Sequence, residues 1–271
     1  MSDSTSIASR LLCALALLLA TLAAPAAEAP RIVSQSPYLT QSLQWLGLDP
    51  YIVGVSRYDE LDRPRTGGVL DPDAAAIEAL QPSLLFASDW TPRKALPAAA
   101  AGVHIFRLGG FEHMSQIEEN LRIMGQAAGV KETPRRVEDF HHQWREKAAA
   151  LRGNKKTFLM LYACSATPYT VGRGEWLSEL LEYAGFSNAE TSDKARVIGQ
   201  QDDYPTIDAL IAALRPDVLF ALTSSKSRSC PLAAMQAAQP VVFLDAALFL
   251  FPSPVILQGL DALAAQRQLW D

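Results

Sequence analysis

The stretch TPRRVEDFHHQWREKAAALR, residues 133–152, lies at the midpoint of a 271-residue chain. Thr133 is a good N-cap residue, and Pro134 suits the first helical position, where its missing N–H costs no hydrogen bond. Val137, Phe140, Trp144, Ala148 and Leu151 follow at steps of 3, 4, 4 and 3, one apolar stripe along a helix. Arg135, Glu138, Asp139, Gln143, Glu146 and Arg152 form the opposite, polar face. Gly153-Asn154 is a C-terminal stop. At about 1.5 Å per residue the rod is roughly 28 Å long. It is either an ordinary surface helix or a strut between two lobes, and the sequence on its two sides favours the strut.

Before it, apolar runs at 31–34, 51–55, 84–87 and 103–108 read as strands. They alternate with helices capped by Ser36-Pro37, by Asp71 or Asp73, and opened near Glu112. Gly47 and Gly129 end two of these helices, and Gly67-Gly68 marks a loop needing φ > 0 or a close approach. After the rod the pattern restarts, with strands at 157–163, 217–222 and 241–244. Its helices end at Gly185 and Leu214, follow Cys230-Pro231, and run from about Ser253 to Leu269. Strands alternating with helices imply parallel sheets covered on both faces.

The halves also share sequence. Leu80-Gln81-Pro82-Ser83-Leu84-Leu85-Phe86-Ala87 returns as Leu214-Arg215-Pro216-Asp217-Val218-Leu219-Phe220-Ala221, offset by 134 residues (214 − 80). The helix end Leu46-Gly47 matches Ala184-Gly185, offset by 138 (185 − 47). The expected fold class is α/β: two Rossmann-like lobes with parallel sheets, residues 31–132 and 154–271, joined by a single long helix at 133–152.

Apolar content of 49% permits a proper core, and a net charge of −5 argues against non-specific nucleic-acid binding. Residues 1–26 read as an export signal. A polar segment ends at Arg10, a 13-residue apolar run spans Leu11–Ala23, and Ala24-Pro25-Ala26 offers small residues for cleavage. An uncleaved anchor is the competing reading, although the run falls short of the roughly 20 residues a bilayer needs. Cys13 sits too early for a lipoprotein cysteine. Losing Asp3 and Arg10 leaves the net charge at −5. Cys164 and Cys230 would remain, either as a disulfide or as two isolated thiols.

Ligands of open α/β sheets sit beyond the carboxyl ends of strands, near helix N-termini. That rule selects Ser36-Pro37-Tyr38, Arg57-Tyr58, Asp89-Trp90, Gly109-Gly110-Phe111, Tyr162, Tyr169, Arg173, Trp176, Thr223-Ser224-Ser225 and Asp245. Flat aromatic faces suit a large planar ligand, and arginine forks suit carboxylates or catecholates. The leading ligand-binding candidates are Tyr38, Arg57, Tyr58, Trp90, Tyr169, Arg173 and Trp176, each weighed against a packing role.

Metal ligation and catalysis are weakly signalled. His104 reads as a core histidine, and adjacent His141 and His142 point to different helix faces. His113 could reach a groove, and Tyr58 could ligate a haem iron. No Cys/His cluster has zinc spacing, and Gly172-Arg173-Gly174 lacks the third glycine of a dinucleotide fingerprint. There is no nucleophile elbow and no phosphate-cradling loop, so neither a resident cofactor nor an enzyme activity is expected.

The chain resembles the periplasmic substrate-binding proteins of ABC importers for vitamin B12, ferric siderophores and haem. The similar motifs are Ser36-Pro37-Tyr38-Leu39-Thr40, Ile52-Val53-Gly54-Val55, Gly67-Gly68-Val69-Leu70-Asp71-Pro72-Asp73, Ala79-Leu80-Gln81-Pro82 and Tyr169-Thr170-Val171-Gly172. Their order, over residues 31–271, carries the likeness. It implies a monomeric, non-enzymatic periplasmic protein that holds a metal chelate between two lobes and hands it to an inner-membrane permease. It also implies an acid on each lobe that docks to permease arginines. The matching positions here are Ala75 and Ala209, with Asp73, Glu78 and Asp208 as nearby substitutes. The alternatives are an exported α/β enzyme using the same groove, or a sensor or chaperone without a permease.

Overall fold

Short apolar runs become two separate sheets. The computed structural model describes residues 29–97, 102–162, 167–199, 204–223 and 239–271. The export segment, Cys164, Cys230, Ser224-Ser225 and the short helix after Cys230-Pro231 lie outside these residues.

In the first lobe β1 (Ile32–Ser34), β2 (Ile52–Val55), β3 (Leu84–Ser88) and β4 (His104–Leu108) form a parallel sheet in the order β2-β1-β3-β4. Helices α1 (Pro37–Trp45), α2 (Ala74–Ala79) and α3 (Met114–Ala127) accompany it. His104 is exposed rather than packed, because β4 is an edge strand and its alternation turns that residue outward.

The long helix, α4, runs from Thr133 to Ala150. Thr133 is its first residue and not its cap; its hydroxyl donates to the Val130 carbonyl at 2.6 Å. Gly125 of α3 makes room for Thr133, since a Cβ there would lie 2.1 Å from the hydroxyl oxygen. At the far end Arg152, φ 51°, makes the left-handed turn assigned above to Gly153. Gly153 instead lets the chain pass Phe186, whose ring a Cβ would meet at 2.5 Å.

In the second lobe β5 (Thr157–Tyr162), β6 (Tyr169–Thr170), β7 (Ser187–Asn188), β8 (Val218–Thr223) and β9 (Val241–Asp245) form a sheet in the order β6-β5-β8-β9, with β7 also on β5. The β5, β8 and β9 pairings are parallel, while β6 is antiparallel to β5. Strands of two residues are too short to show alternation, which is why β6 and β7 were not foreseen. Helices α5 (Trp176–Tyr183), α6 (Ile207–Leu214), α7 (Ala246–Phe249) and α8 (Ile256–Ala264) belong to this lobe. The single last helix expected from 253 to 269 is therefore α8 followed by a 3-10 turn, Arg267–Leu269.

The repeated octapeptide is one joint built twice. Gln81 (φ 47°) and Arg215 (φ 44°) both turn left-handed before a proline. Two residues on, Ser83 Oγ accepts from Arg31 N at 3.0 Å, and Asp217 Oδ2 accepts from Thr157 N at 2.7 Å. Each polar side chain pins the start of the lobe's neighbouring strand.

Helix α4 spans both lobes by two aromatic contacts. Phe140 meets Trp45 of the first lobe at 5.9 Å, and Trp144 meets Tyr183 of the second at 5.2 Å. Lys147 pairs with Asp261, and Trp270 Nε1 donates to the Leu151 carbonyl at 3.3 Å. The stripe Val137, Phe140, Trp144, Ala148 and Leu151 is fully buried in a core that contains residues of both sheets. The rod is thus inlaid rather than free-standing, and two sheets share one core. No helix of the described residues is long and apolar enough to cross a membrane.

Candidate functional site

Three strand ends of the first lobe carry aromatic side chains to one wall. After β1, Ser36-Pro37 opens α1 and sets Tyr38 beneath the wall, where its hydroxyl donates to the Leu108 carbonyl. Burial, opposed by a hydrogen bond with Ser88, drives that phenol well above its ordinary pKa. Tyr38 is therefore a neutral donor fixed in place. After β4, Gly109-Gly110 leads to Phe111, whose ring meets Tyr38 edge-on at 5.4 Å. After β3, Trp90 stacks on Phe111 at 4.6 Å with an interplanar angle of 21°. Offset stacking of this kind is favourable for aromatic pairs and leaves the outer face of Trp90 open; the residue is 57% exposed.

The loop between β2 and α2 supplies Tyr58, Val69 and Leu70. Gln35, fully buried, holds that loop by donating to the carbonyls of Thr66 (2.8 Å) and Gly68 (3.0 Å). Gly67 has the expected positive φ, 86°. From the second lobe, Phe251 follows α7 and completes the lining. Together these residues enclose a largely apolar cavity of about 440 Å³, within the range of small-molecule sites.

The candidates divide by lobe. Tyr38, Tyr58 and Trp90 converge on this cavity. Arg57 is not among the lining residues and pairs with Asp71, which is, at 2.6 Å. Arg173 pairs with Asp193 at 3.0 Å in the second lobe. Both guanidinium forks expected to clamp an anionic ligand are thus held by an acid of their own lobe. Tyr169 lies half-buried beside Tyr162, ring centroids 5.1 Å apart, and burial with the nearby Tyr162 and Glu175 pushes its phenol up to about 12. Trp176 requires a correction. It is 2% exposed and packed into the core, because the helix it opens turns its apolar face inward.

His113 caps α3 and sits 3.7 Å from Glu179, away from the cavity lining. Asp245 caps α7, and Thr223 donates to the Leu244 carbonyl at 3.3 Å. Asp73 and Asp208 are exposed near the starts of α2 and α6, and Glu78 is exposed on α2; Asp73 also accepts from Ala76 N as the α2 cap. No group of three His, Cys, Asp or Glu side chains could hold a metal among the described residues. Phe251 was missed. Its signal was the apolar run Leu248–Phe251 ending at Pro252, which reads as helix interior in one dimension.

Comparison with known proteins agrees with this architecture. The sequence profile of the family described as "Periplasmic binding protein" matches residues 32–240. The periplasmic vitamin B12 binding protein BtuF of Vibrio cholerae superposes with a TM-score of 0.72 at 20% identity, covering 89% of this chain and 98% of that one. The periplasmic heme-binding protein RhuT from Roseiflexus sp. RS-1 gives 0.68 at 23% identity, covering 88% and 98%. A periplasmic heme-binding protein from Pseudomonas aeruginosa gives 0.69 at 22% identity, covering 88% and 92%. No curated protein matches the chain. At these identities the structural likeness speaks for the fold, and the profile, which spans most of both lobes, speaks for the family. The chain belongs to the periplasmic binding protein family.

Proposed function

We propose that this protein is an exported solute-binding protein that captures a planar metal chelate between its lobes and delivers it to an ABC importer. The observation that carries this reading is the stacked Trp90–Phe111 pair facing a cavity that Phe251 closes from the opposite lobe. A flat, largely apolar ligand gains stacking energy and desolvation there, and a small polar metabolite gains neither. Vitamin B12 and haem, named for the structural relatives, are ligands of this shape. Tyr58, 60% exposed at the mouth, is the proposed phenol contact to the metal.

In this reading residues 1–26 are the cleaved signal, 31–132 and 154–271 are the two grasping lobes, and 133–152 holds them at a fixed separation. Asp73, Glu78 and Asp208 are the proposed contacts to permease arginines, and the protein acts as a periplasmic monomer.

The test is a tryptophan fluorescence titration of the mature protein with cyanocobalamin, hemin and a ferric catecholate. Trp90 lies at the cavity and should be quenched; Trp176, in the core, should not respond directly. No quenching by any of the three would overturn the proposal.

A further inference from the structure

Gln35 follows β1, an interior strand of the first sheet, and is fully buried. Its backbone N–H joins the sheet by donating to the Phe86 carbonyl at 2.8 Å. Its side chain turns to the loop between β2 and α2. The amide N–H groups donate to the carbonyls of Thr66 and Gly68, at 2.8 and 3.0 Å, and the amide oxygen accepts from the Thr66 hydroxyl at 2.6 Å. Turning the amide over would set its oxygen against two carbonyls, so this pattern fixes its orientation. A buried amide costs free energy unless it is bonded, and an apolar side chain would serve the sheet as well. What the amide adds is its hold on the loop.

That loop carries Tyr58, Val69, Leu70 and Asp71 to the aromatic cavity. Burial does not anchor its tip, since Leu70 is 64% and Tyr58 60% exposed. Bonds from Arg57 N to Gly67 O at 2.7 Å and from Gly68 N to Asp71 O at 3.1 Å fix the loop's own shape. Thr66 N, donating to Val55 O at 2.9 Å, ties it to β2, an edge strand. Gln35 ties it to the sheet's interior, at the strand end that also sets Tyr38 and, through that ring, Phe111.

We infer that Gln35 is the positioning residue of the binding site. It does not line the cavity; it presets the Val69–Leu70 side relative to the Trp90–Phe111 side, so that a ligand meets both already formed. With a loose tip the site is competent only part of the time. That fraction multiplies the association rate and leaves the contacts of the bound state, and so the dissociation rate, unchanged. This inference rests on the binding function proposed above.

The experiment is stopped-flow quenching of tryptophan fluorescence by cyanocobalamin, hemin and the ferric catecholate. Gln35→Met keeps the length of the side chain and removes its three bonds. Gln35→Glu keeps its shape, loses both donors when ionised and regains one when protonated. In each variant kon should fall about fivefold or more while koff stays within about twofold. The deficit of Gln35→Glu should shrink as the pH is lowered from about 8 to about 5. A merely structural amide would lower the melting temperature and leave kon unmoved. Thr66→Val, which deletes the hydroxyl donor, should lower kon in the same direction, and it decides the matter should Gln35→Met fail to fold. Association as fast as in the unaltered protein would overturn the inference and leave the binding function standing. Failure of the unaltered protein to bind any of the three probes would overturn the binding function and the inference with it.

Discussion

The backbone N–H of Trp176 donates to the carbonyl oxygen of Phe111 at 3.1 Å. Trp176 opens a helix of the second lobe, and Phe111 floors the aromatic cavity of the first. Nearby, Met114 N donates to Glu179 Oε2 at 2.7 Å, and a Cβ on Gly110 would come within 3.1 Å of Pro252. The wall that faces the ligand is thus tied to the core of the opposite lobe. Such a latch opposes wide hinge opening and favours a preformed slot.

Because one apolar core crosses from lobe to lobe, thermal unfolding should be a single transition by calorimetry and by circular dichroism. Trp144→Ala should lower stability by about 3–5 kcal/mol. It opens a void between Tyr183 and the core and deprives the buried Glu118 of its indole donor at 3.0 Å. Two resolved transitions in the unaltered protein would contradict the shared core.

Trp90→Ala should weaken chelate binding by about 1–2 kcal/mol, roughly five- to thirtyfold, with little effect on the melting temperature. The side chain is mostly exposed and its loss leaves Phe111 still packed on Tyr38. Equilibrium titration of the variant with the best ligand checks this. Unchanged affinity would remove the stacked pair from the site.

Glu190 provides a pH test. It is 1% exposed. Burial alone would raise its carboxyl. Hydrogen bonds from Arg196, Ser192 N, Thr170 and Thr191 N outweigh that and hold it below the ordinary range. A depressed folded pKa means that the stabilisation is complete above the unfolded value, about 4.5, and is lost as pH falls through the folded one. Glu190→Gln should cost about 2 kcal/mol at pH 7 and flatten the decline in stability below pH 4.5. Melts from pH 3 to 7 measure both effects, and parallel pH profiles would refute the assignment.

Gly125→Ala tests the packing of α3 on α4. The added methyl collides with Thr133, whose hydroxyl is already bonded to Val130. We expect a loss of about 1–3 kcal/mol. The double variant Gly125→Ala with Thr133→Ala, which removes both the hydroxyl and the methyl group that the new Cβ would meet, should recover part of it.

Charge reversal at Glu78 and Asp208 separates binding from delivery. Both are exposed, and neither lines the aromatic cavity. The double lysine variant should bind ligand as the parent does and fail to stimulate the ATPase of the proposed ABC importer in vesicles. Full stimulation would show that other groups dock.

The strands, the long helix and its buried stripe were legible because each depends on periodicity within a few residues. The octapeptide repeat was legible for the same reason, and its polar fourth position turned out to pin a strand in both lobes. The aromatic wall was partly legible, since the strand-end rule selected Tyr38, Trp90 and Phe111 without showing that they touch. Trp176 failed under that rule because a helix start can place its first residue toward the core as readily as toward a ligand. His104 failed because nothing in one strand's composition says that it is an edge.

The amino-acid order by itself determined two parallel-sheet lobes about a central helix, since helix and strand periods, caps and stops are local properties of a chain. Only the tertiary structure decided that the lobes share one core, that Arg57 and Arg173 are taken by Asp71 and Asp193, and that Phe251 faces Trp90's wall. Those are contacts between residues far apart in sequence. They are set by how packed surfaces meet, which no local pattern encodes.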